Sequence, residues 1–492
     1  MMRRLALVAL AFLVTAAGAG LRAADPPTAS APAILYTRDK PPATPQIADL
    51  PLQTTITQYG ITWMFEQAAR VGQFVTGDFY VVGPVRITGI TPEPKDGRNG
   101  SCLNVSAVLE KCGFDSRIPH ERYDAKLFLA PPIALQPGDA LTSSISLADN
   151  EIGTINPMLW RVGKDQRSPV RACAVLTCLA QPVPPDAFRP SYAGHAPKIY
   201  LARDLRRSLL PQLARTPGTP KLAAWERIFQ RPWIDLVMDE FGAPVDNMPV
   251  YGREYVRSVG AASLLLCLDF TPQEKERLLL SMVQVGIDLW GLAPAGMPGP
   301  WHALGGHGNG RKWPVLFAGV MLNDADMQAP EKKYPHLQFS EDVQTMFGPS
   351  WTGAKVVWAG HVGKDGNPKY EDWGAYEHLP PGQWKGDTGE SYRRCCTSNA
   401  WVAEALAVRI LHLEKTWNHD AFFAYVDRWM TEDDAPALKA IKEARGKDYS
   451  QDWAVQGSTW DPFVKELWLK YRNNLPANPD GGKTPPSSET WK

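Results

Sequence analysis

The spacing of hydrophobic and polar residues changes character once along the chain. From about residue 50 to 180, short apolar alternations are broken by Gly and Pro, as in FVTGDFYVVGPVRITGI, AKLFLAPPIAL and ALTSSISL. Successive side chains of a strand face opposite ways, so Val81, Val85 and Ile87 with their neighbours read as half-buried strands. This half is expected to be an antiparallel β-sandwich-like domain. The stretch QPVPPDAFRP (181–190) reads as a linker on its Pro content. Beyond it the apolar period is helical. Thr271-Pro272-Gln273-Glu274 is a capping box with Pro at the first helical position, opening an apolar-striped helix to about Trp290. Val402, Leu406, Ile410, Leu413 and Trp417 share one helical face, as do Phe422, Val426 and Trp429. Asp461-Pro462 predicts the start of a further helix carrying Phe463, Leu467 and Tyr471. No repeat of fixed period is present. Helices joined by Gly/Pro-rich loops suit an α/α toroid (an incomplete α/α barrel), whose loops at one end build a cleft. The expected fold is thus α+β and multidomain.

At its start the chain has Arg3 and Arg4, an apolar run from Leu5 to Val14, and then small residues up to Asp25-Pro26-Pro27. That order predicts a secretory signal peptide over 1–24 and a secreted or periplasmic protein. The run falls short of the roughly 20 apolar residues of a membrane anchor, so no membrane insertion is expected. The remainder divides into a β-rich domain with linker (25–190), a helical catalytic domain (191–475) and a disordered tail (476–492). Two domains are also what 492 residues favour. With 52 basic and 52 acidic residues the formal charge is zero. No overall field then favours nucleic acid or an anionic membrane, and an anionic ligand must be met by a local patch. Eighteen Trp could pack a core or line a sugar cleft, since an indole face suits the C–H face of a pyranose. Of seven Cys, Cys102/Cys112 and Cys173/Cys178 are close enough in sequence to pair, whereas Cys267 reads as a packing residue and the pairing of Cys395-Cys396 is left open.

The chemistry concentrates in two stretches. WHALGGHGNGRKWPV (301–315) cannot be a phosphate loop, because its glycines miss the G-x-x-x-x-G-K-[ST] spacing and Lys312 is followed by Trp313. His302 and His307 are five apart with no carboxylate between them, which does not fit a helical zinc motif. A metal would have to recruit His361 or His378. The plain alternative is a loop whose histidines only bond backbone. Yet Gly lets backbone approach a ligand closely, and His307, Asn309, Arg311 and Lys312 arrive together before the helix PVLFAGVML. The second stretch, YEDWGAYEHLPPGQW (370–384) and GESYRRCCTSNAW (389–401), adds Tyr376, His378, Tyr392, Arg393 and Arg394. Glycoside hydrolysis calls for two carboxylates about the scissile bond, and no obvious pair stands out, although Glu371, Asp372, Glu377 and Glu390 are present. β-Elimination from a uronic acid has other needs. A donor must neutralise the carboxylate beside C5, a His or Tyr must take the C5 proton, and a Tyr must protonate the leaving oxygen. Arginines would hold neighbouring carboxylates.

The segments GGHGNGRKWPVLFAG, YEHLPP, YRRCCTSNAWV and WNHDAFFAYVDRWM follow a β-rich segment containing DFYVVGPVRI and NGSCLN. Together they resemble polysaccharide lyase family thirty-eight, the alginate and glucuronan lyases, over most of residues 55–475. The resemblance implies an α/α toroid and a His/Tyr elimination without metal or cofactor. By position it implies His307 as catalytic base or its partner, Tyr376 as the catalytic tyrosine with Tyr392 as the alternative, and His302 as the group neutralising the substrate carboxylate. Asn309, Arg311, Lys312, His378, Tyr392, Arg393 and Arg394 would contact the substrate. A mannuronan-cleaving member carries Asn where this chain has His302, which favours a β-1,4-glucuronan over alginate. The expected partner is therefore an acidic polysaccharide, not a nucleic acid. A glycoside hydrolase using Glu377 or Glu390, and a non-catalytic glycan-binding protein, are the competing expectations.

Overall fold

The structure is a computed structural model. It describes residues 33–105, 111–118, 123–148, 169–235, 245, 247–249, 251–295, 305–360 and 377–479. The expected signal peptide and residues 480–492 lie outside the described residues.

Strands β1 (Leu52–Gln58) and β2 (Ile61–Gln73) form a hairpin. Its turn, Tyr59-Gly60, has positive φ at both positions, the backbone that matches the twist of a two-residue hairpin. After them come β3 (Phe79–Val82), β4 (Val85–Thr91), β5 (Ser101–Leu103), β6 (Ile133–Leu135), β7 (Ala140–Ser146) and β8 (Val170–Leu179). They form one sheet in the order β5-β7-β8-β3-β2-β4-β6, with β1 paired to β2. Tyr80 pairs with Thr177 in a parallel β3–β8 ladder; the other ladders of this sheet are antiparallel.

The antiparallel sandwich is thus corrected to a single mixed sheet. β8 shows why. Its Ala174, Leu176 and Cys178 join a cluster with Trp63, Val81 and Ile87, while Cys173 and Val175 point into the core shared with the helices. Helices cover the face that a second sheet would have covered, and β8 is accordingly apolar on both faces. The stretch expected as a linker, 181–190, is packed against both halves. Phe188 and Arg189 are fully buried. Arg189 donates from Nε to Asp78 at 2.9 Å and from Nη2 to Asp288 at 2.7 Å, which ties the strand side to the helical side.

The second half is a helical region, so the chain is α+β. Its first elements are α1 (Leu222–Phe229), α2 (Gly252–Leu266), α3 (Pro272–Leu292) and α4 (Lys312–Leu322). Short turns α5 (Ala325–Gln328), α6 (Pro330–Lys333) and α7 (Ser340–Val343) lead to a small antiparallel pair, β9 (Thr345–Phe347) and β10 (Val356–Trp358). Then come α8 (Thr388–Tyr392), α9 (Ser398–Ile410), α10 (Glu414–Trp417), α11 (Asp420–Thr431), α12 (Ala435–Arg445), α13 (Tyr449–Asp452) and α14 (Pro462–Tyr471). The Thr271/Glu274 capping box opens α3, and the Asp461 side chain caps α14. The apolar face expected from Val402 to Trp417 is split. α9 stops at Ile410, His412 takes positive φ, and Trp417 stays buried from its own short helix. Among the described residues, no helix is long and apolar enough to cross a membrane.

Candidate active site

The Gly-rich loop, described from Gly305 onward, sits against the N-terminal turn of α2. Gly252, at the first position of that helix, makes the approach possible, since a Cβ there would run into the carbonyl oxygens of Gly306 and His307. Gly310 has φ 85° and lies against the backbone of Val256, so a side chain would be excluded on both counts. The Gly306 N–H donates to Tyr251 Oη at 2.8 Å. The Tyr251 ring meets the His307 imidazole edge-on, 4.8 Å between centroids. The Gly310 N–H donates to Glu341 at 2.5 Å, and Gln344 donates to the Gly305 carbonyl at 2.8 Å. The loop is therefore held from α2 on one side and α7 on the other.

The polar side chains predicted for this loop divide sharply. His307 is nearly buried, at 9% exposure, beside Tyr251. Asn309 is fully buried, donating to the Cys396 carbonyl at 3.1 Å and accepting from Ser340 at 2.6 Å. Arg311 clamps Asp235 at 3.0 and 3.2 Å, donates to the His307 and Asn309 carbonyls, and lies 4.0 Å from the Tyr255 ring centroid. Lys312 is also fully buried, paired with Asp342 and, at 2.8 Å, with Glu331. Burial pulls its pKa down, but the two carboxylates outweigh that and raise it.

The second predicted cluster behaves alike. Arg393 and Arg394 both grip Glu390, at 2.8 and 2.7 Å, and Arg394 also grips Asp434. Burial works to raise the pKa of Glu390, yet the two guanidiniums hold it at about 2. Glu377 accepts from Arg428 at 2.8 Å and from the Trp358 N–H at 2.7 Å. Asn309, Arg311, Lys312, Arg393 and Arg394, expected to contact substrate, are buried and bonded to the protein, where they hold the loop and the helix starts in place; buried charges are stable only when paired. Tyr392 is half-buried at the end of α8, and burial raises its pKa. His378 is exposed, and the partial burial of its ring lowers its pKa. His302, Tyr376 and His361 lie outside the described residues.

Sequence reasoning missed three features. Burial raises the pKa of Tyr251, and Tyr392 nearby raises it further; the only sequence signal was a Tyr-Gly-Arg preceding a helical period. Arg253 and Arg257, one turn apart on α2, border the same place. Arg253 donates to the Cys395 carbonyl at 3.1 Å and Arg257 to Asn399 at 3.4 Å. Cys395 and Cys396, whose pairing the sequence leaves open, form a disulfide in the π-helical turn between α8 and α9. Cys102, Cys112 and Cys178, close enough in sequence to their neighbours to pair, are free and buried, as is Cys267, and Cys173 is buried.

The arrangement therefore brings the His307 imidazole against the Tyr251 ring, with the Arg253 guanidinium 6.0 Å from that ring's centroid. Among the described residues, no group of three His, Cys, Asp or Glu is placed to hold a metal ion. No protein-family model, curated protein or solved structure matches the chain.

Proposed function

We propose that this protein is a polysaccharide lyase that cleaves a β-1,4-linked uronic-acid polysaccharide by β-elimination, with glucuronan the first choice and alginate the second. The observation that carries the reading is the contact of His307 with Tyr251, next to Tyr392, at a loop whose other polar side chains are committed to the protein. In the proposed step the His307 imidazole takes the C5 proton. The C5–H electron pair becomes the C4–C5 double bond, the C4–O bond breaks, and the leaving oxygen takes a proton from a tyrosine hydroxyl. Tyr376 is the tyrosine that the family resemblance implies; Tyr251 is the phenol in ring contact with His307, and Tyr392 lies near Tyr251. A phenol is neutral at pH 7, so it acts as an acid with no lowered pKa. The toroid belongs to the same proposal, with α2 and α9 packed side by side through Gly260 and Ala403 as one of its helix pairs.

The hydrolase reading fits less well. Glu377 and Glu390 are buried and doubly bonded to arginines or backbone, so neither is poised to donate a proton or attack a sugar. The deciding experiment incubates the protein with glucuronan, alginate and a neutral β-glucan. Elimination yields an unsaturated uronate that absorbs in the ultraviolet. Reducing ends without that absorbance would overturn the lyase, and neither signal would leave a binding protein.

A further inference from the structure

Buried arginines in this protein meet carboxylates closely: Arg189, Arg311, Arg393 and Arg394 all do so at 3.0 Å or less. Arg257 does not. Its nearest carboxylate among the described residues is Glu254, 3.6 Å away, and Arg253 already holds the same oxygen at 2.6 Å. Its Nε is buried without a hydrogen-bond partner, and its Nη2 makes only the long bond to Asn399. The guanidinium lies 5.6 Å from the Trp460 ring centroid, which orients its plane. Burial first, and then Arg253, push its pKa down to about 9, which still leaves it charged at neutral pH. The side chain keeps 17% of its surface exposed, so the site opens outward.

A planar guanidinium presents Nε and one Nη as a parallel pair of donors, the geometry that matches the two oxygens of a carboxylate. On Arg257 that edge is the one left without a strong acceptor. The site adjoins the reacting loop through two links. Gly252, five residues earlier on α2, touches the backbone of Gly306 and His307, and Asn399 follows the Cys396 that holds Asn309.

We propose that Arg257, oriented by Trp460 and flanked by Asn399, binds the carboxylate of a hexuronic-acid unit adjacent to the one that reacts at His307. The choice of a uronate rests on the lyase reading; the missing acceptor for a charged guanidinium does not.

The test uses a ligand that cannot be cleaved. D-Glucuronate and D-glucose are titrated into the wild-type protein, Arg257→Gln and Arg257→Lys, with binding followed by ligand-observed NMR. The wild-type protein should bind glucuronate at least tenfold more tightly than glucose. Arg257→Gln should lose at least tenfold in glucuronate affinity with no fall in melting temperature. Arg257→Lys, which keeps the charge but not the paired donors, should lose most of the affinity too. Glucuronate binding that is absent from the wild type, or unchanged in either variant, would overturn the proposal. Arg257-dependent glucuronate binding in a protein that forms no unsaturated product would retain the subsite and reject the lyase.

Discussion

His307 is the residue on which the proposed chemistry turns, and substituting it separates a catalytic from a structural role. Its imidazole meets the edge of Tyr251, whose hydroxyl accepts from Gly306. His307→Gln should lower kcat on glucuronan by about 10²–10⁴-fold, the usual worth of a general base, measured by the ultraviolet assay. Tyr251→Phe strips the acceptor from a buried N–H and should cost stability as well, about 1–3 kcal/mol in denaturant melts. Behind the loop, Glu341 and Glu404 are fully buried, and both Glu404 oxygens lack a hydrogen-bond partner among the described residues. Burial raises the pKa of each, and Glu341 raises that of Glu404 further. With pKa values higher folded than unfolded, the folded protein holds more protons as pH climbs past the ordinary Glu value of about 4.3. The contribution of these two carboxyls to stability should therefore be greatest below that value and fall as pH rises toward neutral, opposite in sign to that of Glu390. Glu404→Gln should flatten the fall, read as melting temperature against pH.

Elements position these residues by close backbone packing. α2 delivers Tyr251, Arg253 and Arg257 to the loop only because Gly252 lets its first turn lie on the Gly306 and His307 carbonyls. Gly252→Ala should push α2 off the loop, costing about 1–3 kcal/mol and lowering lyase turnover more than the loss of folded protein explains, as circular dichroism and the ultraviolet assay would report together. Helix starts were legible in the chain because caps are local chemistry: Thr271 with Glu274 opens α3, and Asp461 opens α14. The break after Ile410 was not, since the apolar spacing runs on through Leu413 and Trp417 while His412 turns the backbone to positive φ. The small β9–β10 pair, of three residues each, is too short to carry a period of its own.

On the scale of the whole molecule, sheet and helices share one core. Cys173, Val175 and Phe114 from the strand-rich half pack in the same cluster as Tyr255, Leu289 and Phe317. Arg189 reinforces the junction by bonding Asp78 beside β3 and Asp288 on α3. Arg189→Ala would leave two buried carboxylates without their cation, and should cost about 3–5 kcal/mol of unfolding free energy. A loose linker at 181–190 would predict almost no change, so the same denaturant melt separates the two pictures.

Local pattern alone determined that strands give way to helices after about residue 180, that α3 opens at Thr271 and α14 at Asp461, and that the loop at 301–315 lacks the spacing of a phosphate loop or a helical zinc motif. Tertiary structure decided which of the polar residues remain available for a ligand. Arg257, Arg311, Arg393 and Arg394 look equivalent in the sequence, each an arginine in or beside a helix. Asp235, 76 residues away from Arg311, neutralises it; Glu390 and Asp434 neutralise Arg393 and Arg394; Arg257 receives no such close partner among the described residues. Glu390 stands at local helical spacing from Arg393 and Arg394, but the Arg311–Asp235 and Arg394–Asp434 pairs span 76 and 40 residues and depend on where the fold puts each carboxylate, which no local spacing encodes.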